Sequence, residues 1–164
     1  MPFYLCDLTF PITAEAAAAR MRGSVGPPRW FLDDLLLRFD TALAITPLFG
    51  TVQAESFWVW RRITYRNGFL PIVWGRVIRA PAGIRIRLAM FLNPIGAVFA
   101  LAWLSVAGVF TLLSVAAEGG AKPWAKYVPA AMFVFGLVLV CASFFPEAIK
   151  VKRLLKDILA ETSA

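Results

Sequence analysis

The chain of 164 residues contains no histidine. Histidine is the only side chain that ordinarily titrates near neutral pH, and it is the commonest metal ligand. Without it the chain has no usual general base and no imidazole to hold haem, a pigment or zinc. Two cysteines, Cys6 and Cys141, are too few for a thiolate metal site. Cys141 lies in an apolar run, where a free thiol packs as a small hydrophobe. Only five residues precede Cys6, with neither a basic nor an apolar run among them, so no lipoprotein signal is expected. Asp33 and Asp34 are adjacent carboxylates. On a helix, neighbouring positions point about 100° apart, so the two do not converge on one metal or substrate. They are expected to be solvated or to pair with Arg38. No glycine-rich loop is present to cradle a phosphate. The expectation is a protein that is not an enzyme and holds no cofactor or metal.

The remaining chemistry is cationic and aromatic. Arg61, Arg62, Arg66, Arg76, Arg79, Arg85 and Arg87 are interleaved with Trp58, Trp60 and Trp74. The formal net charge of +7 agrees with that bias. Such residues suit a stacking platform for single-stranded nucleic acid. They equally suit a surface against anionic lipid headgroups. They also suit a protein-docking surface, where Trp and Arg carry most of the binding energy. The apolar spans described next favour lipid or protein over nucleic acid.

No charged residue lies between Arg87 and Glu118. A hydrocarbon core of about 30 Å needs about 20 helical residues, and residues 94–117 exceed that length. A second uncharged run over 127–145 also suffices. Glu118-Gly119-Gly120-Ala121-Lys122-Pro123 makes a polar turn between them, and Pro146 marks the end of the second helix or a kink. A chain this short cannot cover two helices that are apolar on all sides, so a transmembrane hairpin is expected. Eleven arginines precede the hairpin, and Lys150, Lys152, Arg153 and Lys156 follow it, against Lys122 and Lys126 in the connection. This excess is expected to place both termini on the cytoplasmic side of the membrane. On the first helix Gly96, Ala100, Ala107 and Thr111, with Gly108 beside them, form a small-residue face. It suits close packing against the second helix or another protein.

The segment before the hairpin alternates. Phe3–Phe10 reads as a strand. Thr13 caps a helix over Ala14–Met21, and 23–28 reads as a loop. Trp30–Phe39 has the spacing of a short amphipathic helix. Strands are expected over Phe49–Ala54, Phe57–Arg66, Pro71–Ala80 and Ile84–Met90. Asn67-Gly68 and Pro81-Ala82-Gly83 are the turns. In the last strand Ile84, Ile86, Leu88 and Met90 face inward while Arg85 and Arg87 face out. The fold class expected is an α+β membrane protein. A small antiparallel β-meander domain over 1–93 precedes the two-helix transmembrane hairpin over 94–145 and a C-terminal amphipathic helix over 146–164. In that tail Val151, Leu154, Leu155, Ile158 and Leu159 share one side. They are expected to cover the sheet rather than lie in the membrane interface.

Phe49-Gly50, Phe57, Tyr65-Arg66-Asn67, Phe69-Leu70-Pro71 and Gly75 belong to a run, Phe49 to Trp103, that resembles small uncharacterised bacterial membrane proteins with a β-rich domain and a two-helix hairpin. The resemblance covers the middle third of the chain and implies architecture but no activity. The function expected is that of a non-catalytic accessory subunit clamping its neighbours within a larger integral membrane complex. Respiratory and photosynthetic complexes are natural hosts. The alternative is a stand-alone membrane-anchored module that binds anionic headgroups or a signalling partner. The partners expected are membrane lipids and other integral membrane subunits.

Overall fold

The computed structural model describes residues 2–28, 46–63, 65, 67–116, 124 and 127–160. The expected Trp30–Phe39 helix, the Asp33–Asp34 pair, Arg66 and the 118–123 turn lie outside them. The described residues form an α+β fold with a mixed six-stranded sheet and three helices. In chain order these are β1 (Phe3–Phe10), α1 (Ala14–Ser24), β2 (Val25–Gly26), β3 (Leu48–Val52), β4 (Ser56–Arg61), β5 (Pro71–Ala80), β6 (Gly83–Leu92), α2 (Pro94–Ala116) and α3 (Val128–Ala160).

The expected meander is present as β3-β4-β5-β6, and the sheet order is β1-β6-β5-β4-β3-β2. β1 pairs antiparallel with β6. β2, expected to be loop, pairs parallel with β3, so the sheet is mixed rather than antiparallel. Two residues too short to show a period can still complete an edge ladder, because they follow the helix that crosses the sheet. Thr13 caps α1 as expected, its hydroxyl accepting from the Ala16 amide at 3.2 Å. Phe57 lies opposite Gly75, and a Cβ on Gly75 would fall 2.1 Å from the Phe57 ring. Gly50 has φ +143°, and a Cβ there would lie 2.0 Å from the Trp58 carbonyl oxygen. At Gly50 the obstructing atoms are β4 backbone, which cannot move aside as a side chain can, and φ is positive, so Gly50→Ala is expected to cost about 2 kcal/mol or more. A chemical-denaturation midpoint lowered accordingly is the check.

Two expected elements change. The strand expected to reach Arg66 ends at Arg61, and Asn67-Gly68 is not a two-residue hairpin. Instead the Asn67 side chain accepts from the Phe69 amide at 2.9 Å, an Asx turn, and donates to the Ser143 carbonyl of α3 at 3.3 Å. Contacts with a distant helix outweigh the local hairpin. The tail is likewise not separate: α3 runs unbroken through Pro146. Proline there removes one backbone bond and crowds the preceding turn. Buried neighbours on both sides, Phe144, Glu147, Ala148 and Val151, offset that loss.

The sheet's inner face carries Leu8, Phe10, Phe57, Val59, Val73, Ile84, Ile86, Leu88 and Met90 into one core with Ala17 and Met21 of α1 and Val151, Leu155, Ile158 and Leu159 of α3. The tail therefore docks on the sheet, as its apolar stripe predicts. Asn93 joins β6 to α2. Its Oδ1 accepts from the Gly96 amide at 2.7 Å as an N-cap, and its Nδ2 donates to the Gly68 carbonyl at 2.8 Å. Both α2 and the first part of α3 are long and apolar enough to cross a membrane. Only 11% and 17% of their most apolar windows is buried within the chain.

Candidate functional site

The antiparallel register sorts the outward side chains of the sheet into rows. Nearest the helices, Phe49, Trp60, Ile72, Phe91 and Phe3 stand side by side. The next row is Thr51, Trp58, Trp74, Ala89 and Leu5. Beyond it come Ser56, Arg76, Arg87 and Asp7, and then Ile78, Arg85 and Thr9. Phe49, Trp60 and Ile72 are buried, whereas Trp58 and Trp74, directly opposed, remain 40% and 42% exposed. The Trp58 ring meets Phe91 edge-on at 5.3 Å. Alternation along each strand sends these residues away from the core, and the ladder sets them side by side. The result is an aromatic shelf bordered by Arg76, Arg85 and Arg87. Arg87 approaches Asp7 at 3.7 Å, an exposed contact of little energy.

Among the described residues, Arg61, Arg62 and Arg79 do not join that shelf. Arg79 belongs to the inner-face parity and sits 3.8 Å from Glu15, both exposed. Arg62 is half-buried, its guanidinium over the Phe49 ring at 5.8 Å. Arg61 turns inward and donates to Glu147 at 2.9 Å. Arginines close in sequence thus divide among both faces and a loop, because the strand period alternates them.

Sequence reasoning missed Glu147. Its side chain is only 4% exposed and sits where the apolar part of α3 meets the sheet. It accepts from Arg61 at 2.9 Å, from the Tyr65 hydroxyl at 2.5 Å and from Lys150 at 2.8 Å. Burial alone would raise its carboxyl. Hydrogen bonds from Lys150 and Tyr65, with the Arg61 charge, outweigh burial and hold it below the usual glutamate range. Burial, then the bond to Glu147, pushes the Tyr65 phenol up. The same carboxylate raises Lys150. The cluster is a lock between β4, the 62–70 connection and α3. The signal for it was a single carboxylate ending an apolar run with a lysine at i+3.

The small-residue face of α2 is divided too. Ala100 and Ala107 are buried, and Gly108 lies beside Phe133 of α3, 3.6 Å from its added-Cβ position. Gly96 instead meets the 62–70 connection: a Cβ there would lie 2.2 Å from the Gly68 carbonyl oxygen. Thr111 donates to the Ala107 carbonyl of its own helix at 2.7 Å. Gly136 of α3, absent from the expected contacts, admits the Trp103 ring; a Cβ would fall 2.6 Å from its Nε1. Among the described residues no group of three His, Cys, Asp or Glu gathers to hold a metal ion.

No family model matches the chain, and neither a curated protein nor a solved structure matches it.

Proposed function

We propose that the chain is a non-catalytic accessory subunit of an integral membrane complex of the bacterial inner membrane. In this reading α2 and residues 128–145 of α3 cross the bilayer, both termini are cytoplasmic, and the sheet clamps a neighbouring subunit. The observation that carries it is the Trp58–Trp74 pair, exposed beside Arg76, Arg85 and Arg87 on the outer face of the sheet. Trp and Arg dominate protein hot spots, and an opposed pair of rings forms a rigid, low-entropy contact. The low burial of the apolar windows supports the same reading, since their outer sides await lipid or a second protein.

Blue-native electrophoresis of membranes extracted in mild detergent tests it. The wild-type chain is expected in a complex of fixed stoichiometry. Trp74→Ala combined with Arg76→Glu is expected to release it at least tenfold more readily, since a hot-spot pair is worth about 2 kcal/mol or more. A wild-type chain that migrates alone, with anionic lipid as its only companion, overturns the subunit reading in favour of a headgroup-binding module.

A further inference from the structure

The two edges of the sheet are unlike. One is β2, only two residues long and too short to template a partner. The other is β1, which pairs with β6 over eight consecutive residues without a bulge. Among the described residues no strand pairs with the free edge of β1. Proline and lysine, which blunt such edges, are absent from it. The Asn93 amide donates to the Leu70 carbonyl at 3.2 Å, one step beyond the Pro71–Leu92 pair in the β5–β6 register. In an antiparallel ladder successive residues turn their backbone groups to opposite sides. Odd-numbered residues of β6 therefore face β5, and even-numbered ones face β1. The partners of the even set are Tyr4, Cys6, Leu8 and Phe10. Phe3, Leu5, Asp7 and Thr9 accordingly turn their N–H and C=O groups to the free edge.

Another extended backbone satisfies groups spaced in this way. The side chains around the edge select among such backbones. On the outer face Phe3 and Leu5 are exposed, and Leu5 ends the row that carries Trp58 and Trp74. On the inner face Tyr4 and Cys6 lie beside α3. There Lys152 donates to the Tyr4 hydroxyl at 3.0 Å and sits 5.5 Å above its ring. Lys156 is exposed one turn further along the same helix, and both ammonium charges act on the Cys6 thiol. The one carboxylate of β1, Asp7, is turned to the outer face, with Arg87 3.7 Å away. An added strand would thus place one set of side chains on apolar surface and the alternate set beside two ammonium groups. We propose that β1 receives an extended segment in which apolar and acidic residues alternate, contributed by a neighbouring membrane subunit. Phe3 lies opposite Phe91, just before α2 begins at Pro94. One end of the edge therefore stands at the start of the hairpin, within reach of a juxtamembrane segment. The proposal rests on the accessory-subunit reading for the source of the strand and adds the mode of attachment.

Fluorescence anisotropy of labelled octapeptides, alternating valine with glutamate or valine with lysine, against the full chain in mild detergent tests the proposal. The Val-Glu peptide is expected to bind, and the Val-Lys peptide to bind about tenfold more weakly. Leu5→Pro removes an N–H from the free edge and none from the β1–β6 ladder. It is expected to lower Val-Glu binding about tenfold without lowering the melting temperature, and Leu5→Ala to keep binding within about threefold. A Val-Glu peptide methylated on every backbone nitrogen is expected not to bind, which keeps the test open should Leu5→Pro fail to fold. Lys152→Gln with Lys156→Gln is expected to abolish the preference between the two peptides. A wild-type chain that binds neither peptide, or binding that survives Leu5→Pro or peptide methylation, overturns strand addition at β1. Equal binding of both peptides by the wild type overturns the acidic partner. A wild-type chain that is dimeric in detergent and made monomeric by Leu5→Pro assigns the edge to a second copy and overturns the proposal. The accessory-subunit reading fails separately, when the wild-type chain migrates alone on blue-native electrophoresis; peptide binding then still decides the edge.

Discussion

Leu155→Asp is expected to unfold the whole sheet and not merely to free the end of the chain. Leu155 is fully buried within the core that joins α3 to α1 and the inner face of the sheet. Truncation to alanine removes buried methyl groups and leaves a cavity, at a cost of about 3 kcal/mol. Aspartate adds a carboxylate with no partner in that core, for a loss of about 5 kcal/mol or more. A small domain holds only about 5–15 kcal/mol in total. The sheet domain and the end of α3 should therefore melt as one unit. Proteolysis of the full chain in detergent, followed with tryptophan fluorescence, reads this directly. Leu155→Asp should expose sites throughout β1–β6. Arg153→Asp, on the exposed side of the same turn, should stay within about 0.5 kcal/mol of wild type. Cleavage confined to the last turns of α3 would show that the sheet stands without it.

Glu147→Ala has the second largest expected effect. It strands the Arg61 guanidinium, only 21% exposed, and leaves the Tyr65 hydroxyl without its acceptor. Breaking a buried charged cluster from one side costs about 3–5 kcal/mol. For a chain of this size that is a loss of about 10 °C in Tm. Glu147→Gln keeps an acceptor for Tyr65 and should lose less. The pH dependence follows from the depressed carboxyl. Folding lowers this group below its ordinary value of 4.5, so its contribution is complete above that value. As pH falls through the lower folded-state value the carboxylate is protonated and the contribution disappears. Thermal melting of the wild type should be flat with respect to this group near neutrality and fall in the acid range. Glu147→Gln should lack that component. An identical acid limb in both proteins would mean that the Glu147 carboxylate does not hold the cluster together.

The loop that Glu147 holds explains why part of the fold was not legible. Phe57–Arg66 alternates well, and Asn67-Gly68 is a strong hairpin signal, yet β4 stops at Arg61. Tyr65 and Asn67 take partners 82 and 76 residues away, on α3. No local period records such partners. The same distance hides the division of the arginines. Arg61 and Arg62 are neighbours in sequence, but one bonds Glu147 and the other lies over Phe49. The outer-face residues Trp58, Trp74, Arg76, Arg85 and Arg87 were visible as residue types. Their assembly into one shelf required the register of three strands.

The amino-acid order alone settles what depends on neighbours along the chain. The two apolar runs, the inward Ile84-Ile86-Leu88-Met90 face, the Thr13 cap and the apolar stripe of the tail all follow from periodicity, length and local hydrogen bonding. What depends on a distant competitor was decided only when the chain folded. The passage of α3 through Pro146, the parallel β2 edge, the lock at Glu147 and the seat of Trp103 at Gly136 exist because burial and hydrogen bonds contributed by remote segments exceed the local preference at each position.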